Sequence, residues 1–402
     1  MGLPSPLHRH QLSLEGIIDF SAGVLSLNRS QRADAQNRFH RIVKHFETNS
    51  NVKGNYRDNS NNSNGDDQEC SRYSPGRLVR LTYEHALSEQ SRDNFLRAFF
   101  SAMALSIDGQ QEEEDDVEDL RSAFFGFADY LLDNFFLPLK ASTKKTPQPS
   151  PAYHSAIERA QGGTFSGTSD RVSALRGACL VRDRHRCVIS RKFDLQEAVN
   201  RVRRDGENAL DDDGNLLRED ATSVSVLEVA HILPHSLMAT PSGCELSPSK
   251  QAALAILNLF DSGVVHLIEG PDIDRPRNAV TLTTDLHSLF GDFQVFFEPL
   301  SEPHTYRIDS FYPRMLLRDP AFPVTRTLSL SQHRTIDPPS PRLLALHRAI
   351  AHILHLSAAG EYIDRLLLDM DGQRVHADGS TELDRLVRLR LRGLDDSLPQ
   401  KQ

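Results

Sequence analysis

Glu228-Val-Ala-His-Ile-Leu-Pro234, Asn278-Ala-Val-Thr-Leu282 and Thr284-Asp-Leu-His-Ser-Leu-Phe290 are the three stretches on which the fold turns. The first extends an alternation of apolar and polar residues that begins at Ser223, as a half-buried strand does, and it stops near a proline. The second is rich in β-prone residues and reads as a return strand. The third opens on Thr284 and Asp285, residue types that suit a helix start, and continues through His287 and Phe290. Each piece carries one polar residue in an apolar setting: His231, Asn278 and His287. If the strands pair and the helix packs across them, the three side chains meet at one end. A neutral imidazole there can take a proton from water near neutral pH. A second imidazole and an amide oxygen can hold a divalent ion beside a phosphate, where the ion offsets charge developing on oxygen.

Upstream, Cys179-Leu-Val-Arg-Asp183 and Arg186-Cys-Val-Ile-Ser190 are short β-prone runs around a polar turn, which predicts a hairpin. They lie in a basic window: Arg171 to Arg204 holds ten Lys and Arg against three acids. A hairpin presents alternate residues on one face, so Arg182, Arg184, Arg186 and Arg191 are candidate phosphate contacts. A solvated charged face is the plainer reading of the same run. The next stretch, Asp205 to Asp220, nearly cancels the window with seven acids against Arg218.

Farther out the pattern becomes helical. Phe39, Ile42, Val43 and Phe46 mark one helix, Phe95, Phe99, Phe100 and Met103 a second, and Leu120, Phe124, Phe127, Leu131 and Phe135 a third. The Asn/Ser/Gly/Asp tract over 49–67 has too little apolar surface to order itself. The Pro- and Lys-bearing stretch from Ala141 reads as a linker. On the other side, Ser247 to Phe260 is helical, Phe293 to Phe297 with Thr305 to Ile308 reads as a closing hairpin, and Leu343 to Leu354 is helical with a break near Gly360. The expected layout is a helical region over 1–140 with a disordered insert near 48–75, a linker over 141–170, a central domain over 171–310 and a helical region over 311–402.

The 402 residues suggest two or three domains. A net charge of −9 excludes wholesale basic coating of nucleic acid. No stretch reaches the roughly 18 uncharged apolar residues of a membrane helix, and the N-terminus lacks a secretory core, so an intracellular protein of nucleus or cytoplasm is expected. Four cysteines, none in a C-x-x-C pair, make neither a disulfide framework nor the usual zinc knuckle.

Taken together, Cys179-Leu-Val-Arg-Asp-Arg-His-Arg-Cys-Val-Ile-Ser190, Glu228-Val-Ala-His-Ile-Leu-Pro234, Arg277-Asn-Ala-Val-Thr-Leu282 and His287-Ser-Leu-Phe290 resemble the HNH nuclease family, in particular the branch found in fungal proteins. The resemblance spans about a third of the chain. It implies an α+β protein in which a central ββα-metal (HNH) domain is flanked by helical N- and C-terminal regions. It further implies a metal-dependent endonuclease acting on nucleic acid, DNA foremost, with no membrane partner. His231 matches the general base, Asn278 the motif asparagine and His287 the helix metal ligand. The implied ion is magnesium or manganese, with zinc also admitted by a histidine ligand. The chain departs from many members at Ala230, where a metal-binding residue often precedes the base, and at Gly291, where some carry a second helix histidine. A catalytically degenerate HNH-fold module that binds nucleic acid or protein is the alternative these departures leave open. Asp274, Asp292 and Glu228 lie nearby, and no spacing selects among them.

The remaining histidines have plainer readings. His235 belongs to a loop and His266, in an apolar run, to a core. His347, His352 and His355 spread over roughly 140° of helix arc, too wide for one ion.

Overall fold

The computed structural model describes residues 26–50, 73–108, 117–143, 168–238, 246–317, 319–331 and 335–372. The tract over 49–67 is outside them apart from 49–50, as are most of the expected linker and the cysteines Cys70 and Cys244. The chain is a mix of helix and small sheets, in two compact units. One comprises Met1–Ala141, Leu246–Gly263 and His352–Gln402; the other comprises Ser142–Glu245 and Val264–Ala351.

The first unit is helical. Its helices are α1 (Arg29–Ser50), α2 (Pro75–Glu84), α3 (Glu89–Ala102), α4 (Arg121–Leu131) and α5 (Leu137–Thr143), the last two joined through a π-turn at Leu132–Phe136. Ser74 and Ser88 cap α2 and α3 by accepting from Arg77 N and Ser91 N, which satisfies donors a helix start leaves open. The apolar spacing read from the sequence becomes the core: Phe39, Phe46, Phe95, Phe99, Phe124 and Phe127 are all buried. Ser247, followed by Pro248, caps the helix over Pro248–Phe260, whose Phe260 ring stacks on Phe135 at 5.4 Å.

The second unit holds the short-strand structure. Helix α6 (Thr168–Arg182) leads to β1 (Phe193–Asp194) and α7 (Leu195–Asp205), and β2 (Val224–Ser225) pairs parallel to β1. Then β3 (Leu227–His231) pairs antiparallel with β4 (Ala279–Thr283), and α8 (Thr284–Gly291) follows β4 directly. Strands β5 (Val295–Pro299), β6 (Thr305–Ser310) and β7 (Val324–Thr327) form an antiparallel sheet, so the expected closing hairpin gains a third strand. Two further helices, α9 (Pro341–Leu356) and α10 (Ala359–Gly372), complete the described chain, and the boundary between the units falls within α9.

Three expectations are corrected. Cys179 to Arg182 is the last turn of α6 and not a strand, and Arg186 contributes only an isolated bridge to Phe193, so the predicted hairpin does not form. Val-Ile runs suit a strand only where a partner is in register, and here Cys179 instead joins a buried cluster with Leu175, Val229 and Ala279. The break after α9 falls at Ala358, which takes φ 60°, and not at Gly360. Gly360 lies inside α10, where a Cβ would meet Leu354 O at 3.4 Å. His266 sits in a short turn with 82% of its side chain exposed, so it is no core residue. Among the described residues, no single helix is long and apolar enough to cross a membrane.

Candidate nuclease site

The ribbon β3–β4 positions the site. Pairing sets Leu227 against Thr283 and His231 against Ala279, and successive strand residues face opposite ways. Val229 and His231 therefore share a face with Ala279 and Thr281, and there Val229 and Ala279 pack against Leu175 and Cys179 of α6. Glu228 and Ala230 share the other face, where Glu228 Oε2 lies 2.6 Å from Nδ1 of His287 on α8.

His231 is almost wholly enclosed, with 2% of its side chain exposed. Its Nε2 lies 3.1 Å from Asp274 Oδ1. Asp274 closes a short turn, Gly270–Asp274, and its Oδ2 accepts from Arg171 Nε at 3.1 Å and lies 3.5 Å from Nε2 of His235. Burial alone would raise the Asp274 carboxyl, but the hydrogen bonds from His231 and then His235 hold it well below the usual carboxylate range. An ionised carboxylate only accepts, so the ring proton of a neutral His231 sits on Nε2. Its lone pair is left on Nδ1, which is buried and without a hydrogen-bond partner.

The second imidazole is held in the same manner. A carboxylate at His287 Nδ1 draws the ring proton there and leaves Nε2 as the lone-pair nitrogen, the arrangement in which imidazole serves metals. The two histidines thus occupy opposite faces of the ribbon, each on its own acid. Strand alternation keeps them apart, where the sequence reading placed all three polar residues at one end.

Asn278 has another part in this structure. It is fully buried; its Oδ1 accepts from Leu233 N at 2.9 Å, and its Nδ2 donates to Leu233 O and Ile273 O at 3.0 and 2.9 Å. Three bonds to backbone tie the segment after His231 to the turn that carries Asp274. To hold an ion as the sequence reading expects, Asn278 would have only the second lone pair of that oxygen.

The four arginines also separate. Arg182 is fully buried and donates to Asp183 at 2.8 Å and to the carbonyls of Pro276, Ala279 and Asp337. Its guanidinium serves the fold and is closed to a phosphate, so its place among the phosphate contacts is corrected. Arg184 is exposed and paired with Asp213. Arg186 lies over the Phe193 ring and pairs with Asp211 at 2.6 Å, and Arg191 donates to Thr327 O at 2.7 Å. Burial, and then the nearby Arg326 charge, push Arg191 below the ordinary arginine value. His185 and Arg201 both pair with Asp212, at 2.7 and 2.6 Å. The acidic turn Asp211–Asp213 therefore folds onto the basic window that precedes it in sequence.

Sequence reasoning named Asp274, Asp292 and Glu228 without choosing among them, and it placed His235 in a loop. What selects these residues is three-dimensional: Asp274 approaches from a turn more than forty residues after His231, which no local spacing encodes. Glu228 could have been chosen, since strand alternation separates it from His231 and puts it on the face a following helix would cover. Among the described residues no group of three or more His, Cys, Asp or Glu is placed to share one ion.

Residues 187–298 match the model of the HNH endonuclease family. That span includes His231, Asp274, Asn278 and His287, and it gives the chain an HNH domain at its centre. No curated protein and no solved structure matches the chain.

Proposed function

We propose that this protein is a metal-dependent endonuclease that hydrolyses phosphodiester bonds of nucleic acid, DNA in the first instance. The observation that carries the reading is the pair of carboxylate-held imidazoles on the matched segment, one with its lone pair on Nδ1 and the other on Nε2. His231 is the general base: its Nδ1, enclosed in this structure, takes a proton from the attacking water once substrate binding opens that side of the ring, while Asp274 holds Nε2–H and stabilises the imidazolium that forms. Asn278 keeps the base-bearing segment registered on the turn that carries Asp274. His287 supplies the nitrogen donor for the ion, and Glu228 fixes its tautomer. One imidazole donor completed by water would hold a largely hydrated magnesium or manganese ion only weakly, because both ions prefer oxygen donors. It does not fit a structural zinc, which takes four protein donors. When bound, such an ion supplies positive charge against the developing charge on the phosphoryl and leaving oxygens. The reading requires one phosphodiester to reach both imidazoles past the end of β3. Arg184, Arg186 and Arg191 are the proposed backbone contacts, and the first two must exchange their aspartates for phosphate.

Ala230, which offers the ion no donor, favours a second reading: an HNH-fold module that binds nucleic acid without cutting it. Nicking of supercoiled plasmid separates the two. Purified protein is assayed with magnesium, manganese, zinc or chelator, beside His231→Ala and His287→Ala. The nuclease reading expects metal-dependent nicking that falls by 100-fold or more in His231→Ala, on the order of the loss of a general base. Equal rates for the folded protein and both variants in every metal would leave the binding module as the account.

A further inference from the structure

Three arginines of the basic window converge around one buried ring, and their charges are answered from within the chain. Arg186 and Arg201 stand over Phe193, their guanidinium carbons 5.4 and 5.2 Å from its centroid, and the His185 ring lies 6.1 Å from it. Arg184 and His185 take φ of 55° and 52°, a conformation that costs free energy in residues other than glycine and that gathers at functional sites. This strained turn after α6 sets three successive side chains beside Arg201 of α7. What meets them is the turn Asp211–Asp213: Asp211 pairs with Arg186, Asp212 with Arg201 and His185, and Asp213 with Arg184. The acidic turn keeps its shape by its own bonds. An isolated bridge between Leu210 and Leu216 closes it, Asp211 Oδ1 accepts from Asp213 N and Asn215 N at 2.8 Å each, and Gly214 takes the φ of 84° the turn needs. Its tip, residues 212–215, is exposed. Behind it lies a cavity of about 230 Å³, walled in part by Arg186, Phe193, Asn215 and Val224. The tip is therefore held to the arginines by charge, with open space and not packed side chains at its back.

We propose that Arg184, Arg186 and Arg201, with His185, form a site for the phosphodiester backbone of nucleic acid, and that the Asp211–Asp213 turn is its resting occupant, a competitor that substrate displaces. The inference rests on nucleic acid being the substrate. Carboxylate and phosphate make the same demand of a guanidinium, oxygens set against its planar N–H donors, so the turn keeps the site in the form a backbone would meet. Phe193 fixes two of the guanidiniums before any ligand arrives, which lowers the ordering cost of binding. A nucleic-acid backbone carries a dense row of charge and sheds condensed counterions as it binds, and so it displaces the turn. The aspartates then pass to water, where their exposure already places them.

The test is binding of a short fluorescein-labelled DNA duplex to the full chain, read by fluorescence anisotropy in chelator over a range of salt. Asp212→Asn/Asp213→Asn removes two charges from the turn. Glu207→Gln/Glu302→Gln removes as many from exposed positions that pair with none of the three arginines. At low salt the turn variant is expected to bind on the order of tenfold more tightly than the native protein, as the loss of several partly exposed ion pairs implies. The charge-matched control stays within about threefold. The gain shrinks as salt screens the turn's own pairs, and it falls away when Arg184→Gln is added. Equal tightening in both variants, from proteins with native circular dichroism, overturns the inference, because net charge alone then accounts for it. So does a turn variant that binds no more tightly than the native protein, including one that, like it, does not bind. Plasmid nicking run beside the binding keeps the two readings apart. Nicking by a protein whose turn variant gains no affinity removes the competitor and leaves the nuclease, whereas a gain in affinity with no nicking in any metal keeps the competitor and removes the nuclease.

Discussion

The helical unit and the unit that carries most of the HNH match bury different chemistry. In the first, Phe99 meets Phe39, Phe124 and Phe127 edge to face, with centroids 4.9, 6.2 and 5.7 Å apart. Among the described residues it buries three charged side chains, Asp93, held by Arg32 and by Leu27 N, Lys140, bonded to Gly360 O and Asp364, and Asp261. In the second, Arg182, Asp183, His231, Asp274, Asn278 and His347 are all buried. Apolar burial is non-directional and tolerates swaps of similar volume. A buried polar network is satisfied as a whole or becomes a liability, because an unpaired group there has no water to return to. The contrast marks where the chain accepts sensitivity to substitution, and that is around the ribbon flanked by the two carboxylate-held histidines.

The sharpest way to break the comparison is to make volume-matched changes in both cores. Arg182→Met leaves the Asp183 carboxylate and the carbonyls of Pro276 and Ala279 without their donor. A buried ion pair that loses one partner costs about 3–5 kcal/mol. Phe99→Leu changes packing alone and is expected to cost about 1–2 kcal/mol. Urea titrations followed by circular dichroism measure both. Equal losses would mean that the two cores are held by the same kind of interaction, and the distinction would fall.

What could be read in the sequence follows the same line. The apolar periodicities of α1, α3, α4 and α9 predict their helices because burial acts locally on each face. The strand–strand–helix order around His231, Asn278 and His287 was legible too, since each element carries its own pattern. The run from Cys179 to Asp183 misled, because β-branched composition does not say whether a partner strand exists, and α6 instead lays that run against the ribbon. The partners of the site residues were the least legible. Asp274 is selected by a turn arriving from distant sequence, and Arg182 lies inward because four acceptors converge on it, a fact no count of basic residues contains. The +7 of the basic window likewise concealed that Asp211, Asp212 and Asp213 would fold back onto it.

A smaller effect separates the units by pH. His347 stacks on Phe290 at 3.9 Å, and its Nε2 donates to Phe290 O at 3.0 Å, one turn beyond His287 on α8. Burial pushes this histidine down to about 3 from 6.5. The unfolded chain therefore binds a proton through this range that the folded chain refuses. Stability from this residue is complete above about pH 6.5 and is lost as pH falls, by up to about 1.4 kcal/mol per unit. His347→Phe is expected to flatten that slope between pH 5 and 6.5 while giving up its hydrogen bond at neutral pH. A slope unchanged by the substitution would place the acid sensitivity elsewhere.

The smallest effect tests whether distance or burial sets the strength of the polar contacts. Asp212 stands 2.6 Å from Arg201 and 2.7 Å from His185, closer than Arg182 to Asp183 at 2.8 Å. Yet 27% of the Asp212 side chain is exposed, against 1% for Asp183. Burial would raise its carboxyl, but hydrogen bonds from His185 and Arg201 outweigh that and bring it down to about 2 from 3.8. The folded value is the lower one, so the contribution is present above about pH 4 and disappears as pH falls toward 2. Water and salt screen a partly exposed pair, so Asp212→Asn is expected to cost only about 0.5–1 kcal/mol at pH 7, and less in 1 M salt. As pH falls through 2 the native protein and the variant should draw together. A loss at pH 7 as large as that of Arg182→Met would show that contact distance, and not exclusion of water, governs this unit. The acidic turn would then be as much a part of its core as the ribbon.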